Sequence, residues 1–219
     1  MEFYKQTASE WKKLFLENND MIQKIFFQIQ YDSNSLLCPS KDKIFRAFEN
    51  WDNIDVVLLG QDPYHNGNAT GLCFDIPKES VINPSLRNIY KELKNSNLKV
   101  VEDGNLERYS DRIFLLNTSL TTQKGIAGAH VKYWTRFTEM VISYLIARKK
   151  LIWILLGNNA LSYEKDILNN DNGQIILKAT HPSPFSATRS SQKAPAFIGS
   201  GIFVQMNREL TKIGKTPIF

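Results

Sequence analysis

The chain has 219 residues, 42% of them hydrophobic, and carries 27 basic against 22 acidic side chains, a formal net charge of +5. This length favours a single α/β domain spanning residues 1–219, with one sizeable core. Two cysteines far apart in sequence argue against a disulfide framework or a cysteine-ligated metal site, and no apolar run approaches a membrane span, so we expect a cytoplasmic protein that binds no membrane.

Apolar periodicity predicts helices first and a sheet after them. Helical patterns cover residues 10–17 and 20–30, and Pro39-Ser40 marks the start of a third helix through Ile44, Phe45 and Phe48. Apolar runs of strand length then occupy residues 56–60, 113–117, 151–157 and 175–180. These runs lack polar alternation, which is typical of strands covered on both faces.

Helical patterns separate the strand-like runs, notably residues 84–94 and 134–147. The resulting β-α-β-α order predicts a three-layer α/β/α fold with a central four-stranded parallel sheet and right-handed crossovers. Ligands of such sheets bind beyond the carboxyl ends of the strands. Chemistry is therefore expected directly after each run, at residues 61–65, 117, 157–159 and 181–184.

Three polar residues at these strand ends, Asp62, Asn117 and His181, are the candidate site. Each alone has an ordinary structural explanation, such as a turn at Asp62-Pro63, but together they predict a functional pocket. An asparagine side chain presents a donor and an acceptor, which suits the imide edge of a nucleobase. A carboxylate can orient a water molecule and stabilise positive charge on a sugar ring. His130, in a Gly-rich loop, is interpreted as structural or exposed.

The basic excess lies near the C-terminal end. Residues 178–219 hold six basic side chains against one acid, which fits either a polyanionic partner or a solvated basic tail. Within this segment, prolines stiffen the turn that carries Phe185. An exposed phenylalanine on such a turn can wedge into a base stack; the alternative is that Phe185 packs into the core.

Two motifs, residues 60–65 (GQDPYH) and 181–184 (HPSP), resemble the signature segments of family 1 uracil-DNA glycosylases. The resemblance extends in the same order to residues 84–93 (PSLRNIYKEL), 115–121 (LLNTSLT) and 213–218 (IGKTPI). It covers nearly the whole chain, and the first motif is highly specific.

The resemblance implies a monofunctional uracil-DNA glycosylase of base-excision repair. Such an enzyme flips uracil out of single- or double-stranded DNA and hydrolyses the N-glycosidic bond, leaving free uracil and an abasic site. Expelling the base anion needs only donors aimed at the oxygen where charge develops, so we expect no cofactor and no metal. Base flipping needs one pocket, so we expect a monomer. A proteinaceous inhibitor of uracil glycosylases is a further partner that the family implies.

Site residues follow from the resemblance by motif position. Asp62 would orient the attacking water, and His181, neutral, would donate a hydrogen bond to O2 of the departing uracil anion. Gln61 would line the pocket through its backbone. The remaining uracil contacts would be Tyr64, which excludes the thymine methyl, Phe74, which stacks on the flipped ring, and Asn117, which reads the base edge and rejects cytosine.

The expected DNA contacts form a second set of residues, and two of them depart from the family pattern. Phe185 stands where leucine is usual, and Asn158 stands where serine is common. The loop of residues 66–70 is shorter than usual, and residues 190–196 are an insertion after Arg189. The full set of expected DNA contacts is Ser85, Asn158, Ser183, Phe185, Arg189 and Lys193.

Three other functions compete with this interpretation. A non-catalytic DNA-binding subunit with the same fold, or a mismatch-directed glycosylase of broader base choice, would not need Asp62, Tyr64, Asn117 and His181 together. A zinc-dependent base deaminase would need a His/Cys ligand set and a glutamate in H-x-E, and the sequence has neither.

Overall fold

A computed structural model describes residues 6–32, 37–168 and 173–219 of the chain. In chain order the elements are α1 (Ser9–Glu17), α2 (Asn19–Asp32), β1 (Leu37–Cys38), 3-10 turns at Lys41–Lys43 and Arg46–Glu49, β2 (Val56–Gly60), α3 (Pro84–Asn95), a 3-10 turn at Glu107–Tyr109, β3 (Ile113–Asn117), β4 (Thr122–Gln123), α4 (Val131–Ile146), β5 (Ile152–Leu156), α5 (Asn158–Leu161), α6 (Glu164–Leu168), β6 (Ile175–Ala179) and α7 (Ile202–Lys212).

The fold centres on a four-stranded parallel sheet in the order β3-β2-β5-β6. Helices pack on this sheet in an α/β/α arrangement, with α7 against β5 and β6. The predicted fold class and all four predicted strands are confirmed. A separate antiparallel pair, β1 with β4, was not predicted because each strand has only two residues.

The two edge strands of the sheet, β3 and β6, are not equally buried. Strands β2, β3 and β5 are buried at every position, whereas the first four residues of β6 are only partly buried. Full coverage of β6, as predicted, was therefore wrong. This strand is at the edge of the sheet, and it places Lys178 where its ammonium pairs with Glu164 at 2.6 Å.

The predicted third helix is also wrong in type. Residues 41–49 form two 3-10 turns, closed by i to i+3 bonds from Lys43 N to Ser40 O (2.9 Å) and from Phe48 N to Phe45 O (3.0 Å). The apolar side chains of Phe45 and Phe48 are nevertheless buried, in an aromatic cluster with Trp11 of α1. Packing of these rings, rather than helical hydrogen bonding, explains the apolar spacing.

Helices α3 and α4 confirm the predicted helical patterns, and α4 begins three residues earlier than expected. On α3 the predicted apolar face, including Leu86, Ile89 and Leu93, is buried. Within the described ranges, none of the helices is long and apolar enough to cross a membrane.

Candidate active site

A cavity of about 530 Å³ opens at the carboxyl end of the parallel sheet. Its lining comes from the carboxyl ends of all four strands and from segments that follow them, as the β-α-β-α order predicts. Most of the expected site residues meet here. They are Gln61, Asp62, Tyr64, Phe74, Ser85, Asn117, Asn158, His181, Ser183 and Phe185.

Asp62 follows β2 and holds its carboxylate by two hydrogen bonds. The backbone N–H of Gly128 donates to Oδ2 at 2.5 Å, and Nε2 of Gln61 donates to Oδ1 at 3.2 Å. Burial raises the pKa of Asp62 above its ordinary value, and these two bonds act in the opposite direction. The carboxylate is thus a fixed acceptor that can take a proton more readily than an exposed aspartate.

Gly128 is a functional residue that sequence reasoning missed. It reaches Asp62 across 66 positions of the chain from the Gly-rich loop before α4. Its φ of +72° lies in the left-handed region that favours glycine. The signal that could have found it is the Gly-rich loop itself.

Gln61 does more than the predicted backbone lining. Its carbonyl oxygen accepts hydrogen bonds from the Thr118 hydroxyl and the Ser119 N–H, both at 2.9 Å, which ties the ends of β2 and β3 together. Its side-chain amide contacts Asp62, as described above. The motif residue therefore supports the carboxylate as well as lining the cavity.

His181 follows β6, and its tautomer is set by a backbone donor. The N–H of Ser183 donates to Nδ1 at 3.1 Å, so Nδ1 is the unprotonated acceptor and the proton of a neutral ring is on Nε2. Burial lowers the pKa of His181 to about 4. At neutral pH the cavity therefore contains an uncharged imidazole with one N–H donor.

Asn117 lies at the end of β3, only 4% exposed, beside Gly60 of β2 in the parallel register. A Cβ atom at Gly60 would come within 2.6 Å of Asn117 Oδ1. The glycine of the first motif is thus required for the amide to occupy its place. Asn117 is the group at this side of the cavity that can both donate to and accept from a base edge.

Phe74 and Tyr64 supply the aromatic surface of the cavity. Phe74 has φ +62°, a left-handed conformation that is uncommon for an aromatic residue and that occurs mainly at functional sites. Its ring centroid lies 5.7 Å from that of His181. The Tyr64 hydroxyl donates to the Phe74 carbonyl at 3.5 Å, and burial raises the pKa of Tyr64, so this hydroxyl stays protonated.

Phe185 is 86% exposed at the rim, so the alternative that it packs into the core is wrong. Arg189 and Lys193 are exposed too, but they lie outside the cavity lining. The insertion that contains Lys193 folds back on the residue after β6, because Pro195 O accepts a bond from Thr180 N at 2.9 Å. A second bond of 2.9 Å, from Ser191 N to Ala194 O, closes a turn within the insertion.

His130 is buried at 2% exposure and hydrogen-bonds through Nδ1 to the Thr121 hydroxyl at 3.0 Å. Of the two predicted alternatives for His130, a structural role agrees with this burial, and an exposed position was wrong. Cys38 and Cys73 are buried free thiols. In the ranges that the structure describes, no three His, Cys, Asp or Glu side chains cluster as metal ligands would.

Comparison with known proteins gives consistent relatives. Residues 48–202 match the Uracil DNA glycosylase superfamily. The uracil-DNA glycosylase of Azobacteroides pseudotrichonymphae is 40% identical over 88% of this chain and 87% of its own length. That of Exiguobacterium sibiricum is 44% identical over 82% of each. A mimivirus UNG variant, solved in complex with UGI, superimposes with a TM-score of 0.88 at 26% identity, covering 97% of this chain and 88% of the other.

Proposed function

The chain belongs to the Uracil DNA glycosylase superfamily, and from this membership we propose how its cavity removes uracil from DNA. It is a uracil-DNA glycosylase, a hydrolase of N-glycosyl bonds that acts in DNA repair. The observation that carries the proposed mechanism is the meeting of Asp62, Asn117 and His181 around one cavity. In this mechanism Asp62 orients the attacking water, Asn117 binds the edge of the base, and His181 stabilises the leaving group.

His181 stabilises the leaving group. When the bond between uracil N1 and deoxyribose C1′ breaks, its electron pair stays with uracil, and negative charge develops at O2. The Nε2–H of a neutral imidazole can donate a hydrogen bond to that oxygen. Because the ring is already held by Ser183, the donor needs little reorganisation when charge develops.

Asp62 acts on the sugar side. Loss of the base leaves positive charge on the deoxyribose ring, which a nearby carboxylate stabilises. The same carboxylate orients a water molecule, whose oxygen forms the new bond to C1′ while its proton passes to Asp62. The uracil anion takes up a proton after release, which completes hydrolysis to free uracil and an abasic site.

Base choice depends on the other side of the cavity. Asn117 donates to O4 of uracil and accepts from N3–H, whereas the amino group of cytosine would place a donor against a donor. Tyr64 stands where the methyl group of thymine would lie, and Phe74 stacks on the flipped ring. The cavity thereby rejects two normal DNA bases by two different contacts.

Replacing Asn117 by aspartate should confer release of cytosine, because a carboxylate accepts from the cytosine amino group. Uracil release should fall roughly tenfold to a hundredfold, since one hydrogen bond is lost and a buried acceptor faces O4. The measurement is the free base released from labelled oligonucleotides that differ only in uracil or cytosine at one position.

The matched control is Asn158→Asp, which makes the same chemical change at another cavity residue and should leave cytosine intact. If the Asn117→Asp chain released uracil at the unaltered rate and no cytosine, Asn117 would not be the residue that reads the base.

We further propose that the rim opens the duplex and holds its backbone. Flipping a base costs a few kcal/mol, and Phe185 can offset part of this by occupying the vacated stack. Ser85, Asn158 and Ser183 are polar groups at the cavity edge that suit phosphate contacts. One cavity suffices for one flipped base, so we expect a monomer that accepts single- and double-stranded DNA. An inhibitor protein such as the UGI seen with the mimivirus relative is expected to bind this chain too.

Neutralising Arg189 and Lys193 together, each by glutamine, should flatten the salt dependence of duplex binding. The slope of log K against log salt should change by about 0.9 for each phosphate contact that is lost. Substitution is preferable to deletion, because Ala194 and Pro195 of the same insertion are held against the fold. Binding titrations at several salt concentrations measure the slope.

Lys13→Gln on α1, an exposed lysine outside the basic C-terminal segment, is the matched control and should leave the slope unchanged. An identical slope for the double variant and the unaltered chain would show that these cations do not contact phosphate.

A further inference from the structure

Helix α3 contacts the His181 loop at a point outside the cavity. Asn88, in the middle of this helix, donates a hydrogen bond from Nδ2 to the carbonyl oxygen of Pro182 at 2.8 Å. A carbonyl oxygen can only accept, so the amide nitrogen of Asn88 must be the atom that faces it. Asn88 is not among the residues that line the cavity, and it reaches this loop across 94 positions of the chain.

The bond from Asn88 and the bond to His181 lie at opposite ends of one peptide group. The Pro182 carbonyl and the Ser183 N–H belong to the same planar unit, which rotates as a whole. Ser183 N–H donates to His181 Nδ1, so the N–H cannot turn away from the ring without also moving the carbonyl away from Asn88. Hydrogen bonds in series also polarise one another, so the amide strengthens the donor that faces His181.

Other bonds of the loop hold different groups. Ser186 Oγ donates to the His181 carbonyl at 2.9 Å, and Thr180 Oγ1 donates to the Ser186 carbonyl at 3.0 Å. Neither reaches the peptide between Pro182 and Ser183. Removing the Asn88 amide would take away the hydrogen-bond donor of the Pro182 carbonyl. Because Pro182 is buried, leaving this acceptor unpaired would be costly.

We propose that Asn88 is a positioning residue for His181. Acting through the Pro182–Ser183 peptide, it holds the Ser183 N–H against Nδ1 and so keeps the proton of the ring on Nε2, where the departing uracil needs a donor. This inference rests on the proposed function and deepens it. Asn88 touches neither base nor sugar, and its effect is on the orientation and tautomer of the imidazole.

The test compares Asn88→Ala, Asn88→Asp and the control Asn95→Ala in single-turnover uracil release. We expect the first to lose about tenfold to a hundredfold in rate, as misplacement of a catalytic group does, with DNA affinity retained. Asn88→Asp has nearly the same shape but sets an acceptor against the carbonyl, so it should be at least as slow. Asn95 is exposed on the same helix, and its variant should keep the unaltered rate.

The 15N spectrum of the His181 imidazole separates positioning from general packing. In the unaltered chain at neutral pH we expect one acceptor-type and one protonated nitrogen, and in Asn88→Ala a shift of both signals toward a tautomer average. Loss of the signals in His181→Leu assigns them. Thermal unfolding shows that each variant is folded, and Asn88→Asp, which preserves volume, provides a second folded test.

The outcomes are distinct. Slower release together with the altered 15N spectrum supports the inference. An unaltered rate in Asn88→Asp, or a slower rate with an unaltered spectrum, would overturn it while uracil release by the unaltered chain upheld the proposed function. If the unaltered chain released no uracil, the proposed function would fail first, and the role of Asn88 with it.

Discussion

Replacing Asp62 by asparagine should lower the single-turnover rate of uracil release by roughly 10²–10⁴-fold, the range for a positioned acid or base, while DNA binding persists. Asparagine nearly matches aspartate in shape and retains an oxygen for the Gly128 N–H, so the pocket should keep its form. What is lost is the negative charge that stabilises the deoxyribose cation and the group that takes the proton of the attacking water. Labelled oligonucleotide cleavage and binding titrations measure the two quantities separately.

The pH dependence of the rate of uracil release is a second test of Asp62. Asp62 acts as the ionised carboxylate, so activity is present above its pKa and is lost as pH falls through it. Because burial raises this pKa, the acid limb of the rate profile should lie above the ordinary aspartate range. The limb should disappear in Asp62→Asn and persist in Asp111→Asn, an exposed control before β3. An unchanged limb in the first variant would remove Asp62 from the mechanism.

Replacing His181 by leucine is the change with the next largest expected effect, a loss of about 10²–10³-fold in rate, as for removal of a donor to a developing oxyanion. Leucine fills similar volume but donates nothing to O2 of the leaving uracil. Burial holds the pKa of His181 to about 4, so the group removed is a neutral donor and not a cation. DNA affinity should therefore change little.

His181→Gln is the matched variant, since it restores a neutral N–H donor on a flexible side chain. We expect it to recover part of the activity that leucine loses. Equal rates for leucine and the unaltered chain, or a loss that appears only in DNA affinity, would contradict the role of His181 as leaving-group donor.

The sheet and the position of the cavity could be predicted from local sequence patterns. The apolar runs of β2, β3 and β5 are short and uninterrupted, and the polar residues that follow them mark the carboxyl ends at which parallel sheets bind ligands. Asp62 after β2, Asn117 at the end of β3 and His181 after β6 could be predicted as site residues in this way. Their meeting required only the topology, which the β-α-β-α order provides.

The supporting residues could not be predicted in the same way. Gly128 and Asn88 act through hydrogen bonds that join positions 66 and 94 residues apart, and nothing in their immediate sequence indicates either partner. The tautomer of His181 likewise depends on a peptide orientation that only the folded loop defines.

The predicted element type was wrong where side-chain packing, and not helical hydrogen bonding, explains the apolar spacing. The spacing of Ile44, Phe45 and Phe48 is compatible with a helix, yet the rings are buried from two 3-10 turns. Helix α7 was not predicted, although Phe203, Met206 and Leu210 repeat at helical spacing and are all buried.

The central claim is that this cavity hydrolyses the N-glycosidic bond of uracil in DNA and leaves other bases in place. The most direct measurement is the release of free base by the unaltered chain from matched oligonucleotides with uracil or thymine at one position. We predict free uracil and an abasic strand from the first, and no release from the second. An intact uracil strand, or equal release of thymine, would contradict the claim.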